Sequence, residues 1–140
     1  MSVRVRLIRH PDQFHALLTS AQGGIFKDLH RRALKVQTQA KRNLEREPRR
    51  VDTGTLRSDI HIQMLTVGKV LAARIGFNVF YGVYVHDGTG IFGPKGQPIT
   101  PKMSKFLRWK TKKGTVVYAT SVKGMRPNPF LKDALKAAKG

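Results

Sequence analysis

The chain has 140 residues and carries 27 Lys and Arg against 8 Asp and Glu, a formal net charge of +19. Hydrophobic residues make up 40% of the sequence, which suits one compact domain and is too many for a disordered chain. The absence of cysteine excludes disulfides and thiolate metal ligands. No apolar run is long enough to span a bilayer and residues 1–10 lack a signal peptide's apolar stretch, so we expect a soluble protein. The charge predicts a polyanionic partner: nucleic acid, an acidic membrane or an acidic protein.

The first third of the chain predicts a strand and two helices. Residues 2–9 alternate between apolar and basic, which is typical of a short strand, and residues 12–18 form a short helical segment. Residues 25–47 have apolar side chains at spacings of three to four, which predicts a long amphipathic helix ended by Pro48. A second stripe on this helix is cationic and is the candidate face for a protein partner or DNA. This basic face consists of Lys27, Arg31, Lys35 and Arg42.

A short helical turn and a hairpin follow. Within residues 51–60 (VDTGTLRSDI), Asp52 or Thr53 is expected to cap a helical turn that points its apolar side chains inward. Residues 61–67 and 70–77 read as two strands. The Gly-Lys pair between them suits a two-residue hairpin turn.

The segment that organises the chain is residues 81–90 (YGVYVHDGTG). Its aromatic and β-branched first half can pack, whereas its second half must turn. We therefore expect at least one of Gly88 and Gly90 to have a positive φ angle, which glycine adopts at little cost. A second signature closes the chain, residues 127–135 (PNPFLKDAL), and we expect the fold to bring the two segments together.

The rest of the chain completes the predicted fold. Residues 91–101 are rich in glycine and proline and predict an extended loop. Residues 106–110 and 116–122 read as two more strands, with a turn at 112–114, and residues 130–138 predict a helix. The expected fold class is α+β: a long N-terminal amphipathic helix packed on an antiparallel sheet of about four to five strands, with a C-terminal helix, all in a single domain over residues 1–140. Side chains expected to pack the last helix on the sheet near Tyr81 and Tyr84 are Phe130, Leu131 and Leu135.

Two short motifs could indicate catalysis. Asp52-Thr53-Gly54 resembles the triplet of aspartic proteases, but that site needs two close carboxylates on apolar strands, so a helix cap is favoured. His86-Asp87 could be an acid–base pair, but no nucleophile converges on it, so we favour a turn in which Asp87 bonds its own backbone. The five histidines lack metal-site spacing, and the glycines at 88 and 90 lack the lysine of a phosphate-binding loop. We predict no catalytic residue, metal or cofactor.

The charge also favours a nucleic-acid hypothesis. The basic helix face could lie on DNA, although no helix-turn-helix, zinc finger or base-stacking platform is visible. Phe106 and Trp109 lie among three cations. Strand alternation puts Phe106 with Arg108 on one face and Trp109 on the other, so these two rings do not form one platform.

Taken together, these segments resemble a known family, the tail-completion proteins of long-tailed bacteriophages, also called neck or head–tail joining proteins. The resemblance covers roughly residues 24–138. It consists of a Thr-Gly, Leu-Arg turn, an aromatic segment ending in Gly-Thr and a terminal Pro-Phe-Leu helix, in that order. Residues 91–122 match a loop and hairpin insertion found in some members. The chain departs from the family at His86-Asp87, where members often carry a Glu and a bulky residue. The signature residues are Gly54, Leu56, Tyr81, Tyr84, Gly88, Thr89, Gly90, Pro129, Phe130 and Leu131.

The resemblance implies a virion component at the head–tail junction, assembled in the host cytoplasm and not catalytic. Family members are taken to form a ring, most often sixfold, around the DNA channel. The implied partners are copies of the chain and neighbouring neck and tail proteins, with DNA in the channel as a further candidate and no membrane. The alternative hypothesis is a basic nucleic-acid-binding module.

Overall fold

The computed structural model describes residues 20, 23–46 and 52–139, so the strand predicted at 2–9 and the helix predicted at 12–18 lie outside the described residues. The described part contains four α-helices and four strands, and the predicted α+β class is confirmed. In chain order the elements are α1 (Gly24–Glu45), α2 (Thr55–Asp59), β1 (His61–Val67), β2 (Val70–Gly76), α3 (Gly82–Asp87), a 3-10 turn (Gly90–Phe92), β3 (Leu107–Lys110), β4 (Val116–Ala119) and α4 (Phe130–Lys139).

The long amphipathic helix is present as α1. Its buried apolar side chains recur at spacings of three and four, as an amphipathic helix requires: Ala33, Val36, Ala40 and Leu44. The helix ends at Glu45 rather than Glu47, because Arg46 already has the extended backbone angles φ −67° and ψ 152°. The apolar face of α1 forms one wall of the core.

The first hairpin packs on the apolar face of α1. β1 and β2 pair antiparallel from His61 opposite Gly76 to Val67 opposite Val70, which confirms the two-residue turn at 68–69. The side-chain amide of Gln37 donates a 2.7 Å hydrogen bond to the backbone oxygen of Ile60, so the start of the hairpin is tied to α1. Helix α2, immediately before it, buries Leu56 in the same core.

The expected single sheet of four to five strands is wrong for the described residues. β1 pairs only with β2 and β3 only with β4, giving two separate two-stranded antiparallel sheets. The predicted strand at 116–122 is also shorter, since Val122 makes only an isolated bridge to Ile99. The physical reason is that hairpin patterns specify local pairing but not which hairpins lie edge to edge. The second hairpin contributes no residue to the core cluster.

The C-terminal helix packs on α1, not on a sheet. Phe130 and Ala134, one helical turn apart, are fully buried beside Val36 and Ala40 of α1. Leu135 is half exposed, so its predicted packing is wrong. Each residue is rotated by about 100° from the one before it in a helix. Leu135, which follows the buried Ala134, therefore points away from the face that Phe130 and Ala134 share.

Candidate functional site

The two signature segments meet in the fold, as the sequence predicts. The backbone N–H of Asn128 donates to the backbone oxygen of Val85 at 2.9 Å. The N–H of Thr89 donates to the oxygen of Met125 at 2.9 Å, and the N–H of Met125 donates to the Thr89 hydroxyl at 2.9 Å. We call this meeting of residues 85–91 with residues 123–128 the junction.

The junction requires glycines where the two backbones cross. Gly88 and Gly90 have φ angles of 80° and 64°, so the predicted positive φ is confirmed at both. A Cβ on Gly90 would collide with the carbonyl of Lys123, and one on Gly124 would collide with the carbonyl of Thr89. Sequence reasoning missed Gly124. The sequence indicated its role only by its position, as a glycine between the last predicted strand and the prolines that follow.

A buried asparagine pair joins the junction to α1. The side-chain amide of Asn128 donates to the backbone oxygen of Asn43, and the amide of Asn43 donates to the backbone oxygen of Phe130, each at 3.1 Å. The Asn43 side-chain oxygen accepts from Gln39 at 3.0 Å. Sequence reasoning gave neither asparagine a role, although Asn128 between two prolines was a signal.

Four other signature residues differ in how far the fold buries them. Pro129 accepts a 2.9 Å bond from the N–H of Asp133 in the first turn of α4. Leu131 and Tyr81 are partly buried and pack against the core. Tyr84 is 54% exposed, so its predicted place under the last helix is wrong. In α3, Val85 is the side chain that turns inward.

The predicted cap of the short helical turn is displaced by one residue. Gly54, with φ 82°, occupies the cap position of α2, and the Thr53 hydroxyl before it accepts a long, 3.5 Å hydrogen bond from the backbone N–H of Thr55, the first residue of the helix. Asp52 instead forms an ion pair with the Lys112 ammonium at 2.5 Å. The Thr53 hydroxyl lies 2.8 Å from that of Thr55.

His86 and Asp87 contact each other at the edge of the junction. Nδ1 of His86 lies 2.6 Å from a carboxylate oxygen of Asp87, so the predicted bond from Asp87 to its own turn is replaced by this pair. The His86 ring also meets Phe130 edge to face, with ring centroids 5.5 Å apart. The pair therefore packs against the last helix. Among residues 20, 23–46 and 52–139, no group of three or more His, Cys, Asp or Glu could hold a metal.

The basic face of α1 is exposed at all four positions. One acid of α1 lies beside it: Asp28 pairs with Arg31 at 2.6 Å and with Arg32 at 2.8 Å. The hydrogen bond from Arg31 and the charge of Arg32 lower the pKa of Asp28 below its usual value, and they outweigh partial desolvation. Lys27, Lys35 and Arg42 form no ion pair within the described residues, so this face is strongly positive.

An open cleft of about 610 Å³ lies between α3 and the Gly/Pro loop. Val83 and Tyr84 form its helical side, and Pro94, Pro98 and Ile99 contribute from the loop. Both α3 residues are more than half exposed. An exposed apolar cleft of this kind is typical of a surface that another molecule covers.

Comparison with known proteins identifies no relative. No protein-family model, curated protein or solved structure matches the chain. None of the helices in the described part of the chain is long and apolar enough to cross a membrane.

Proposed function

We propose that the chain is a structural component of a bacteriophage virion at the head–tail junction, where it forms a ring that completes the tail or neck for head–tail joining. The observation that carries the proposal is the junction. Its two sides are the segments on which the resemblance rests, and they touch through the bond from Asn128 to Val85. The motifs are thus parts of one structural unit rather than separate coincidences.

The proposed role is architectural and not enzymatic. The polar groups of the junction bond to backbone or to each other: Thr89 to Met125, Asn128 to Asn43, and His86 to Asp87. Such bonds hold chain segments in place, and they leave no obvious acid, base and nucleophile converging on one point.

We assign the joint between subunits to the apolar cleft beside the Gly/Pro loop. Val83 and Tyr84 present apolar surface there, and glycines and prolines at 93–98 prevent regular strand pairing within the loop. A contact between two different patches closes into a ring when the rotation permits, and we propose a sixfold ring. Neighbouring neck and tail proteins would bind the ring above and below.

The test is the assembly state of the purified protein. Light scattering and negative-stain imaging should show rings of about six copies of the 15.7 kDa chain. Deleting residues 93–98 should leave a folded monomer that no longer assembles, and Val83→Ser should weaken assembly. Val70→Ser, at an even more exposed valine beside the turn of the first hairpin, is the control and should assemble normally. Rings formed by the deletion variant would show that the loop is not the joint.

The alternative is a basic nucleic-acid-binding module. It is favoured by the formal charge of +19 and by the exposed cations of α1. The same images distinguish the two proposals: monomers that coat added DNA, with no rings at any protein concentration, would support the alternative.

A further inference from the structure

Residues 90–124 form a segment outside the core, and we call this segment the arm. No residue from Gly90 to Gly124 belongs to the core cluster or packs directly against it. The arm is closed at its base by backbone bonds: Ile91 N–H to the Lys123 oxygen at 2.9 Å, and a reciprocal pair between Ile99 and Val122 at 2.8 and 2.9 Å. Beyond this base, β3 and β4 form its outer end. The fold does not need this hairpin to bury its core, so its surface is available for binding.

The arm is uniformly basic. From Gly88 to Lys132 the sequence contains no Asp or Glu, whereas residues 88–127 contain nine Lys and Arg. Of the two cations at the hairpin turn, Lys112 pairs with Asp52 outside the arm. The arm is therefore complementary in charge to a polyanion, and two copies of it would repel each other.

One face of the hairpin combines cations with aromatic rings. In the observed register Arg108 lies opposite Tyr118 and Lys110 opposite Val116, so these four residues share a face. Phe106 lies in the bend immediately before β3, two residues before Arg108, and so adjoins this face at the start of the strand. Phe106 is 52% and Tyr118 61% exposed. The sequence suggested no platform because it compared Phe106 only with Trp109. Pairing with β4 supplies the second ring.

We propose that this face of the arm binds single-stranded nucleic acid. Arg108 and Lys110 would neutralise phosphates, while the rings of Phe106 and Tyr118 would stack on bases. An acidic peptide would engage the cations but has no flat base to stack on the rings, so the combination favours a nucleic acid strand. The inference concerns a site outside the junction and the subunit joint, and it does not depend on the proposed ring.

Unpaired bases are essential to this site. In an intact duplex the base faces are stacked on each other, and only phosphates and base edges are open to a protein. The arm would then contact a passing duplex weakly and hold a strand only where bases are exposed. This selectivity is compatible with a protein that lies along a DNA path.

Binding is measured by fluorescence anisotropy of a labelled oligonucleotide, because Trp109, the only tryptophan, lies on the opposite face of the hairpin and would not contact the bound strand. The protein is titrated into oligothymidine of about 12 nucleotides and into a duplex of equal length, at several salt concentrations. We expect tighter binding of the single strand. Phe106→Ala and Tyr118→Ala should each weaken single-strand binding about 5- to 150-fold with little effect on the duplex.

The cations are tested separately. Arg108→Ala with Lys110→Ala should weaken binding of both nucleic acids and reduce the log–log salt slope by about one to two. Matched controls lie outside the arm: Arg74→Ala removes an exposed arginine of β2, and Phe80→Ala removes a ring that is 81% exposed. Both controls should bind like the parent protein, and circular dichroism should show that all variants are folded.

Two results would overturn the proposal. The first is duplex binding as tight as single-strand binding, and the second is full affinity in the Phe106→Ala and Tyr118→Ala variants. Neither of these results bears on whether the protein forms rings, so failure here is distinguishable from failure of the proposed function.

Discussion

Asn128 donates its side-chain amide to the backbone oxygen of Asn43, and both side chains are almost completely buried, with 6% and 3% of their surfaces exposed. Asn43 in turn donates to the backbone oxygen of Phe130 at 3.1 Å. This exchange ties α1 to the segment just before α4, across 85 residues of sequence. It also satisfies polar groups that would be costly to bury alone.

Asn128→Ala should destabilise the protein by about 1–3 kcal/mol, because it leaves the buried oxygen of Asn43 without this donor. Chemical denaturation of the parent and the variant measures the loss. Asn78→Ala, at an exposed asparagine, is the control and should change stability by less than about 0.5 kcal/mol. Equal stabilities of the Asn128→Ala variant and the parent would mean that the pair is dispensable.

Phe130→Ala should cost about 3–5 kcal/mol, because the ring is fully buried and contacts Phe77 with centroids 5.7 Å apart. Leu135→Ala is the matched change on the same helix. Since Leu135 is half exposed, we expect it to cost less than about 1 kcal/mol. A loss below about 1 kcal/mol for Phe130→Ala would show that α4 is peripheral to stability.

Gly90→Ala should be more destabilising than Gly96→Ala, although both glycines have φ near 60°. The left-handed backbone costs an alanine about 1–2 kcal/mol at either position. Only at Gly90 does the added Cβ also strike backbone, the carbonyl of Lys123, whereas nothing lies within 4 Å at Gly96. Thermal unfolding of the two variants measures the difference. Identical shifts would remove the steric account of the backbone crossing.

Under the proposed function, reversing Lys27, Arg31 and Lys35 to Glu should block the joining of tails to heads while the subunit stays folded. These exposed residues are spaced four apart on one helix face, so their charges form a row that suits an acidic surface on an adjoining ring. We favour a protein partner over channel DNA, because strong phosphate contacts would hinder DNA passage.

The control for this charge reversal is the equivalent change in the exposed cations of α4, Lys132, Lys136 and Lys139, which should leave joining intact. The readout is the yield of complete particles from separated heads and tails, together with circular dichroism. A different result would show that the partner of this face is DNA and not a protein. The parent protein would bind random duplex DNA tightly at physiological salt, with a steep salt dependence that the triple variant loses.

Acidification should break the ion pairs of Asp28. Because its pKa in the folded protein is lowered from 3.8, the pairs are complete above that value and are lost as the pH falls through the lower folded pKa. A carboxyl NMR titration should therefore give Asp28 a midpoint below 3.8. Asp28→Asn should remove the corresponding pH dependence from the stability of α1. A midpoint at or above 3.8 would contradict the pairing with Arg31 and Arg32.

Local elements were predictable because local physics specifies them. The apolar spacing on α1, the turn at 68–69 and the positive φ angles of Gly88 and Gly90 depend on residues close together in the chain. The meeting of the two signature segments was also expected, although from their character and not from any visible contact. The element bounds shifted by one to three residues, where helix and strand ends compete with the adjoining loop.

The tertiary structure alone decided which surfaces are covered. It paired Asn43 with Asn128, turned Tyr84 and Leu135 to the outside, and separated the two hairpins into two sheets. The physical reason is that these outcomes depend on which distant segments pack together. That choice is made by many weak contacts acting together, and no single motif in the sequence indicates it. A buried asparagine looks the same as an exposed one until its partner, 85 residues away, is in place.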